Sequence, residues 1–279
     1  MISKSKLFKY HYLGRRTEVD ALIFDIQRGS FVDGDGIRTT VFFKGCNLRC
    51  KWCHNPEGLR PNIEMLVYKD RCKSCQKCTE ICQNGGKDCT LCSKCVYVCP
   101  NNAREIVGKK ITESELLLEI LKDKAYYDTS GGGVTFSGGE CMLQIDFLEE
   151  ILKLCKQNEI NTAVDTAGNV PYEYFERILP YTDTFLYDVK CISEDLHKEF
   201  TGASNKLILE NLEKLINHGA RVNVRVPLIG GFNDGKELEK IKSYLSKLNL
   251  KSIEYLEYHE MAENKYDALG LKFTKFYKC

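Results

Sequence analysis

Cys46, Cys50 and Cys53 stand within the eight residues Cys46-Asn47-Leu48-Arg49-Cys50-Lys51-Trp52-Cys53, a C-x3-C-x2-C spacing. Thiolates ligate the irons of iron–sulfur clusters, and a 4Fe–4S cubane takes four ligands. Three cysteines leave one iron open to a further ligand, which is how a cluster does chemistry rather than only carrying electrons. Other uses of these residues explain less. Cys50-Lys51-Trp52-Cys53-His54 satisfies C-x-x-C-H, the c-type haem attachment pattern, but haem attachment needs export and no apolar signal segment precedes it. A structural zinc site on the three cysteines and His54 is stereochemically allowed, yet it leaves the remaining motifs unexplained. Disulfides fit least: fifteen cysteines is an odd total, and without a secretory signal it points to a reducing cytoplasm.

A second cysteine block follows. Cys72, Cys75, Cys78 and Cys82, then Cys89, Cys92, Cys95 and Cys99, each read C-x2-C-x2-C-x3-C, the run of bacterial ferredoxins, and Pro100 closes the second. In two-cluster ferredoxins the fourth cysteine of each run ligates the other cluster. Carried over, Cys72, Cys75, Cys78 and Cys99 would hold one cluster, and Cys89, Cys92, Cys95 and Cys82 the second. Gln83 replaces the expected proline, and six residues between Cys82 and Cys89 leave no room for the usual hairpin. One cluster, or a zinc-bearing module, is the alternative. Cys141, Cys155, Cys191 and Cys279 read as non-ligands.

These side chains need a scaffold, and 279 residues suffice for one sizeable core plus a small module. A net charge of +1 and a pI near 7.4 carry no basic footprint for nucleic acid. No apolar run reaches the roughly 20 residues of a membrane span. A cytoplasmic, oxygen-sensitive protein is expected, with residues 1–20 as a basic N-terminal extension.

Outside the second cysteine block, strands alternate with amphipathic helices, which predicts a parallel sheet. The strands read as Arg38–Gly45, Gly133–Ser137, Ile160–Asp165, Phe185–Lys190, Arg221–Ile229 and Ile253–His259. Thr112 and Glu115 form a capping-box pattern opening a helix through Leu121. Ile145, Leu148, Ile151, Leu152 and Cys155 recur at helical spacing, as do Leu207, Leu209, Leu212, Leu215 and Ile216, and later Ile241, Leu245 and Leu248. Six strand–helix units predict an open (β/α)6 barrel. In such folds chemistry gathers at the C-terminal ends of strands. Ser137-Gly138-Gly139-Glu140, Asp165-Thr166-Ala167-Gly168, Asp188-Val189-Lys190, Arg225 with Pro227, and His259 all fall there.

Together these residues resemble the glycyl-radical-enzyme activating enzymes, a family of the radical S-adenosylmethionine (SAM) superfamily. The likeness runs from about Leu22 to Gly270. It includes Ile23-Phe24-Asp25-Ile26-Gln27, Asp33-Gly34-Asp35-Gly36-Ile37-Arg38-Thr39, Phe43-Lys44-Gly45, Trp52-Cys53-His54-Asn55-Pro56-Glu57, Gly131 through Glu140, Tyr258-His259 and Lys265-Tyr266. Asp35 departs from the family's usual proline, and Cys141 stands where proline is common.

The resemblance implies an α/β fold, a partial (β/α)6 radical SAM barrel with an inserted ferredoxin-like iron–sulfur domain. Barrel segments would occupy 21–66 and 108–279, and the insert 67–107 with two 4Fe–4S clusters. Cys46, Cys50 and Cys53 would hold the catalytic cluster, and SAM would chelate its open iron. Reductive cleavage would release a 5′-deoxyadenosyl radical, which would take the Cα hydrogen of one glycine in a partner glycyl radical enzyme. Gly138 and Gly139 allow close approach of the methionyl end, Glu140 would accept from its ammonium, and Lys190 and Arg225 suit its carboxylate. Trp52 and His259 would lie near the nucleoside. Asp165, Thr166 and Asp188 match positions that bind a monovalent cation. Flavodoxin or ferredoxin is the expected electron donor. The competing readings are a radical SAM enzyme acting on a small molecule with auxiliary clusters, and a multi-cluster electron carrier without catalysis.

Overall fold

The computed structural model describes residues 19–279; the extension read over residues 1–20 lies, but for its last two residues, outside them. Ten strands form among the described residues: β1 (Asp20–Ser30), β2 (Arg38–Phe43), β3 (Glu64–Val67), β4 (Arg104–Val107), β5 (Lys109–Thr112), β6 (Gly133–Gly138), β7 (Asn161–Thr166), β8 (Thr184–Asp188), β9 (Val222–Leu228) and β10 (Ser252–Glu257). Eight make one sheet in the order β10-β9-β8-β7-β6-β2-β1-β5, while β3 and β4 pair separately. From β2 to β10 every neighbour is parallel. These six strands are the ones read from the sequence, their ends moved by no more than two residues.

Four strands were not anticipated: β3 and β4, which pair only with each other, and β1 and β5. β1 extends the sheet antiparallel to β2, and β5 pairs antiparallel with β1 at its edge. Bulges between Ile23 and Asp25 and between Arg28 and Ser30 break the alternation of β1, so its period-two pattern is lost. β5, Lys-Lys-Ile-Thr, is too short and polar to announce itself.

Alternation along each parallel strand sorts side chains onto two faces. Val41, Phe43, Val134, Phe136, Val164, Phe185, Tyr187, Val222, Val224 and Val226 join one core with apolar residues of the helices Glu113–Leu121, Ile145–Gln157, Tyr172–Ile178, Lys206–Asn217 and Gly235–Leu245. Thr112 accepts from the Glu115 amide and Glu115 reaches back to the Thr112 amide, so the first of these helices starts with both halves of the capping box.

The opposite face carries the polar side chains Arg38, Thr40, Thr135, Ser137, Asp165, Asp188 and Arg225, with Phe42, Ala163 and Leu186 among them. Its curvature follows from one contact. β9 lies four strands from β2, roughly 19 Å across a flat sheet, yet Arg225 approaches Asp33, in the turn entering β2, to 4.0 Å. The sheet therefore curls around its polar face, and β10 and β5 remain unpaired edges of an open barrel. Arg38 closes the bottom. Its guanidinium is buried and donates to Thr135 Oγ1 at 2.6 Å, Val134 O at 2.6 Å and Asn161 Oδ1 at 3.0 Å. No helix among the described residues is long and apolar enough to cross a membrane.

Candidate active site

A cavity of about 460 Å³ opens at the C-terminal mouth of the barrel, a volume suited to a nucleoside-sized ligand. Cys46, Cys50 and Cys53 line it from the loop after β2. Gly138 ends β6 and Gly139 follows it, Asp165 and Thr166 end β7, Asp188 ends β8 with Lys190 two residues beyond, Arg225 belongs to β9, and His259 follows β10. Trp52 lines it too, with its ring against Phe232 at 4.6 Å.

Buried ion pairs order the floor. Arg225 pairs with Asp165, whose other oxygen accepts from Ser137 Oγ at 2.6 Å. Its Nε lies 3.5 Å from Asp188, and Lys190 Nζ lies 2.8 Å from the same carboxylate. Burial works to raise the Asp188 pKa, but the Lys190 ammonium and the Arg225 guanidinium outweigh it and hold the group below the usual range. Burial would lower Lys190; Asp188, then Cys50, lift it above its ordinary value. Both cations stay charged beside the cysteines.

Burial pushes the thiol of Cys46 up to about 11 and that of Cys53 up to about 12, and raises Cys50 as well. Three protonated thiols on a cavity wall beside a lysine are suited to a bound group that displaces their protons. Two buried polar atoms on the same wall, His54 Nε2 and the Tyr258 hydroxyl, lack hydrogen-bond partners. A polar ligand in the cavity would satisfy them, so the donor set fits an iron–sulfur cluster together with SAM. Among the described residues no three side-chain donors close on one metal ion; a cubane spreads its ligands over four irons and asks for a wider opening.

Glu140 alone of the predicted ligands of SAM is off the cavity wall. It is buried beneath the Gly138–Gly139 turn and accepts from Thr166 Oγ1 at 2.9 Å, Ala167 N at 3.0 Å and Met142 N at 3.2 Å. Burial pushes its carboxyl up to about 7, against the pull of these hydrogen bonds and from an ordinary 4.5. The folded state thus holds this proton more tightly than the unfolded chain. The resulting stability is complete below about pH 4.5 and is lost as pH rises through about 7. Glu140→Gln stays neutral throughout, so thermal melts from about pH 5 to about pH 8 should fall less steeply for the variant than for the native chain. Parallel profiles would refute this assignment.

Tyr255 and Leu256, which the sequence reading passed over, also line the cavity, as does His54, weighed there only as a zinc ligand and a motif residue. His54 stacks on His259 with ring centroids 3.9 Å apart. Burial, then the neighbouring His259, lowers its pKa to about 4. Its position directly after Cys53 was the available signal. Lys265 reaches back to Glu57 at 2.5 Å and ties the helix Glu263–Leu269 to the cluster loop.

The second cysteine block lies between β3 and β4. Each run folds into a four-residue helix, Lys77–Glu80 and Lys94–Tyr97. Of the seven non-glycine residues with positive φ among those described, six lie between Ser74 and Asn102. Ser74 and Leu91, like Gln76 and Ser93, take that conformation at matching places in the two runs. Left-handed residues next to right-handed ones turn successive amides inward, a concavity common at iron–sulfur sites. Amides already point at sulfur, from Leu91 to Cys89 at 3.4 Å and from Ala103 to Cys99 at 3.3 Å. A cavity of about 250 Å³ is lined by Cys72, Cys75, Cys78 and Cys99 together.

A family model described as the Radical SAM superfamily matches residues 40–245. The trans-4-hydroxy-L-proline dehydratase activating enzyme of Clostridioides difficile is 44% identical over 271 residues, 91% of this chain and 90% of that protein. The choline trimethylamine-lyase activating enzyme of Oleidesulfovibrio alaskensis is 43% identical over 276 residues, 92% of this chain and 89% of that one. Among solved structures, Streptococcus suis SuiB bound to precursor peptide SuiA aligns with a TM-score of 0.52 over 82% of this chain and 40% of that chain. At 12% identity the last is a likeness of fold.

Proposed function

The chain belongs to the radical SAM superfamily and, within it, to the activating enzymes of glycyl radical enzymes, and from this premise we propose how its residues divide the work. When bound, the cluster and SAM supply the 5′-deoxyadenosyl radical that takes a glycine Cα hydrogen from the partner enzyme. Cys46, Cys50 and Cys53 hold the catalytic cluster. Gly138 and Gly139 give backbone access to the methionyl end, Lys190 and Arg225 meet its carboxylate, and Trp52 and His259 flank the nucleoside. The observation that carries this reading is the convergence of all these residues, from separate strand ends, on one cavity.

Glu140 spends its oxygens inside the protein, so its task is to hold the Gly138–Gly139 turn and Thr166 in place. Asp165 and Asp188 orient Arg225 and Lys190; a monovalent cation bound with Thr166 would share the same carboxylates. Residues 67–107 form the ferredoxin-like insert. Cys72, Cys75, Cys78 and Cys99 hold one 4Fe–4S cluster, which the shared cavity supports, and Cys89, Cys92, Cys95 and Cys82 hold the other. A flavodoxin or ferredoxin supplies electrons.

Two relatives of almost equal identity serve different enzymes, so both trans-4-hydroxy-L-proline dehydratase and choline trimethylamine-lyase belong in the test. Anaerobic electron paramagnetic resonance (EPR) of the reconstituted chain with SAM, a low-potential reductant and each candidate should give a glycyl doublet with one of them. SAM cleavage with no doublet from either would exclude both as partners. Absence of SAM cleavage would overturn the site assignment.

A further inference from the structure

The backbone rungs between β8 and β9 stop short of the cavity. Parallel pairing takes Phe185 N to Arg221 O at 2.8 Å and Val189 N to Arg225 O at 2.9 Å. The next rung needs an N–H from residue 227, and Pro227 has none. Lys190, Pro227 and Ile229, all on the cavity wall, lie at or beyond that break. One side chain bridges it. Asn233 is fully buried in the loop between β9 and the helix Gly235–Leu245. Its Nδ2 donates to Lys190 O at 2.7 Å and to Pro227 O at 2.5 Å, and its Oδ1 accepts from Ile229 N at 2.8 Å. Both donors and the acceptor of the amide are thus engaged on the backbone of the wall, while Asn233 itself stands behind it. The next two carbonyls after Lys190 are held separately. Asn205 Nδ2 donates to Cys191 O at 3.0 Å and to Ile192 O at 2.8 Å, and neither of those residues lines the cavity.

We propose that Asn233 is a positioning residue for SAM. It replaces the missing rung and sets the backbone of Lys190 against that of Pro227 and Ile229, so that the Lys190 ammonium meets the carboxylate of SAM. This rests on Lys190 being the partner of that carboxylate. Asp188 fixes the far end of the lysine, 2.8 Å from Nζ, and Asn233 fixes its near end through the carbonyl. A short primary amide is the side chain that offers two donors and one acceptor here. Alanine would leave two buried carbonyls and one N–H unpaired, and aspartate would set a carboxylate against two carbonyl oxygens.

The test uses the full chain, reconstituted anaerobically, with Asn233→Ala, Asn233→Asp, Lys190→Ala and the double variant Asn233→Ala/Lys190→Ala beside it. Iron is counted in each. Affinity for SAM is read from the change that SAM makes in the EPR signal of the reduced catalytic cluster, and kcat and KM from the deoxyadenosine formed. Asn233→Ala should keep its iron and bind SAM about tenfold more weakly, a loss typical of removing a residue that orients a ligand-binding group. The loss should fall on KM and not on kcat. In a chain already lacking the Lys190 ammonium, Asn233→Ala should weaken binding no further, because its effect passes through that group. Losses that multiply in the double variant would make Asn233 a general support of the wall and overturn the proposal, as would native affinity in either Asn233 variant. Should alanine alone cost iron, aspartate, which keeps the side-chain volume and the bond from Ile229 N, carries the same comparison. Loss of catalytic-cluster iron in both would assign Asn233 to folding and overturn the proposal equally. Native affinity in Lys190→Ala would instead overturn the pairing of Lys190 with SAM, and this inference with it.

Discussion

Cys50→Ala should form no 5′-deoxyadenosine above background, while the insert keeps its iron. Cys50 is the middle one of the three proposed ligands, in a loop whose geometry its neighbours already set: the Cys53 amide donates to Cys50 O at 3.1 Å, and the amides of Arg49 and Lys51 donate to Thr201 O and Phe200 O at 2.7 and 2.9 Å. The loop is thus anchored to the helix Glu194–Thr201 whether or not the thiol is present. Removing the sulfur leaves this backbone in place and takes away one of three ligands, after which the cubane has too few thiolates to persist. Cys75→Ala is the matched control, expected to lower insert iron and leave SAM binding largely intact. Iron per chain and deoxyadenosine by chromatography read both. Retained cleavage in Cys50→Ala would move the reactive cluster elsewhere in the chain. Lost SAM binding in Cys75→Ala would make the insert a structural support of the barrel.

The second large effect is expected from Gly139→Ala. A Cβ there would stand 2.2 Å from Gly45 O and 2.5 Å from Gly58 O. Both are backbone atoms of the segment that carries the cluster cysteines, and neither can swing aside as a side chain would. The same turn is laced to that segment by Gly139 N donating to Phe43 O at 2.8 Å and Glu140 N donating to Gly45 O at 2.7 Å. A methyl group must therefore push the Gly138–Gly139 wall away from the cluster loop. A displacement of about 1 Å in a reacting assembly costs on the order of 100-fold in rate, and a loss of that size in SAM cleavage is expected at normal iron content. Gly219→Ala provides the contrast. Its φ is 76° with nothing within 4 Å of the added carbon, so the change costs only the left-handed backbone, about 1–2 kcal/mol of stability, and should leave cleavage unaltered. Near-native cleavage by Gly139→Ala would mean that turn and loop are not locked together.

Much of this was legible in the chain. The three cysteines of the cluster loop, the twofold cysteine run and six of the strands follow from spacing and alternation, because ligand geometry and the period of a strand are local properties. The six strands survive almost residue for residue. β1 did not show itself because its two bulges destroy the period that reveals a strand. Glu140 shows a different kind of detail that spacing does not fix. Its place after Gly138-Gly139 puts it at the mouth, but only the packed structure turns its carboxylate inward to Thr166 and Ala167.

By itself, then, the sequence determined the donor atoms, the six parallel strands with the helices between them, and the family. The tertiary structure decided which of those donors face one another. Asp33 and Arg225 are 192 residues apart in the chain and 4.0 Å apart in the barrel, as Cys99 shares a cavity with Cys72. Such meetings depend on how far the sheet curls and which amides the loops turn inward, and both are set by packing summed over the whole fold, to which no single stretch of residues holds the key.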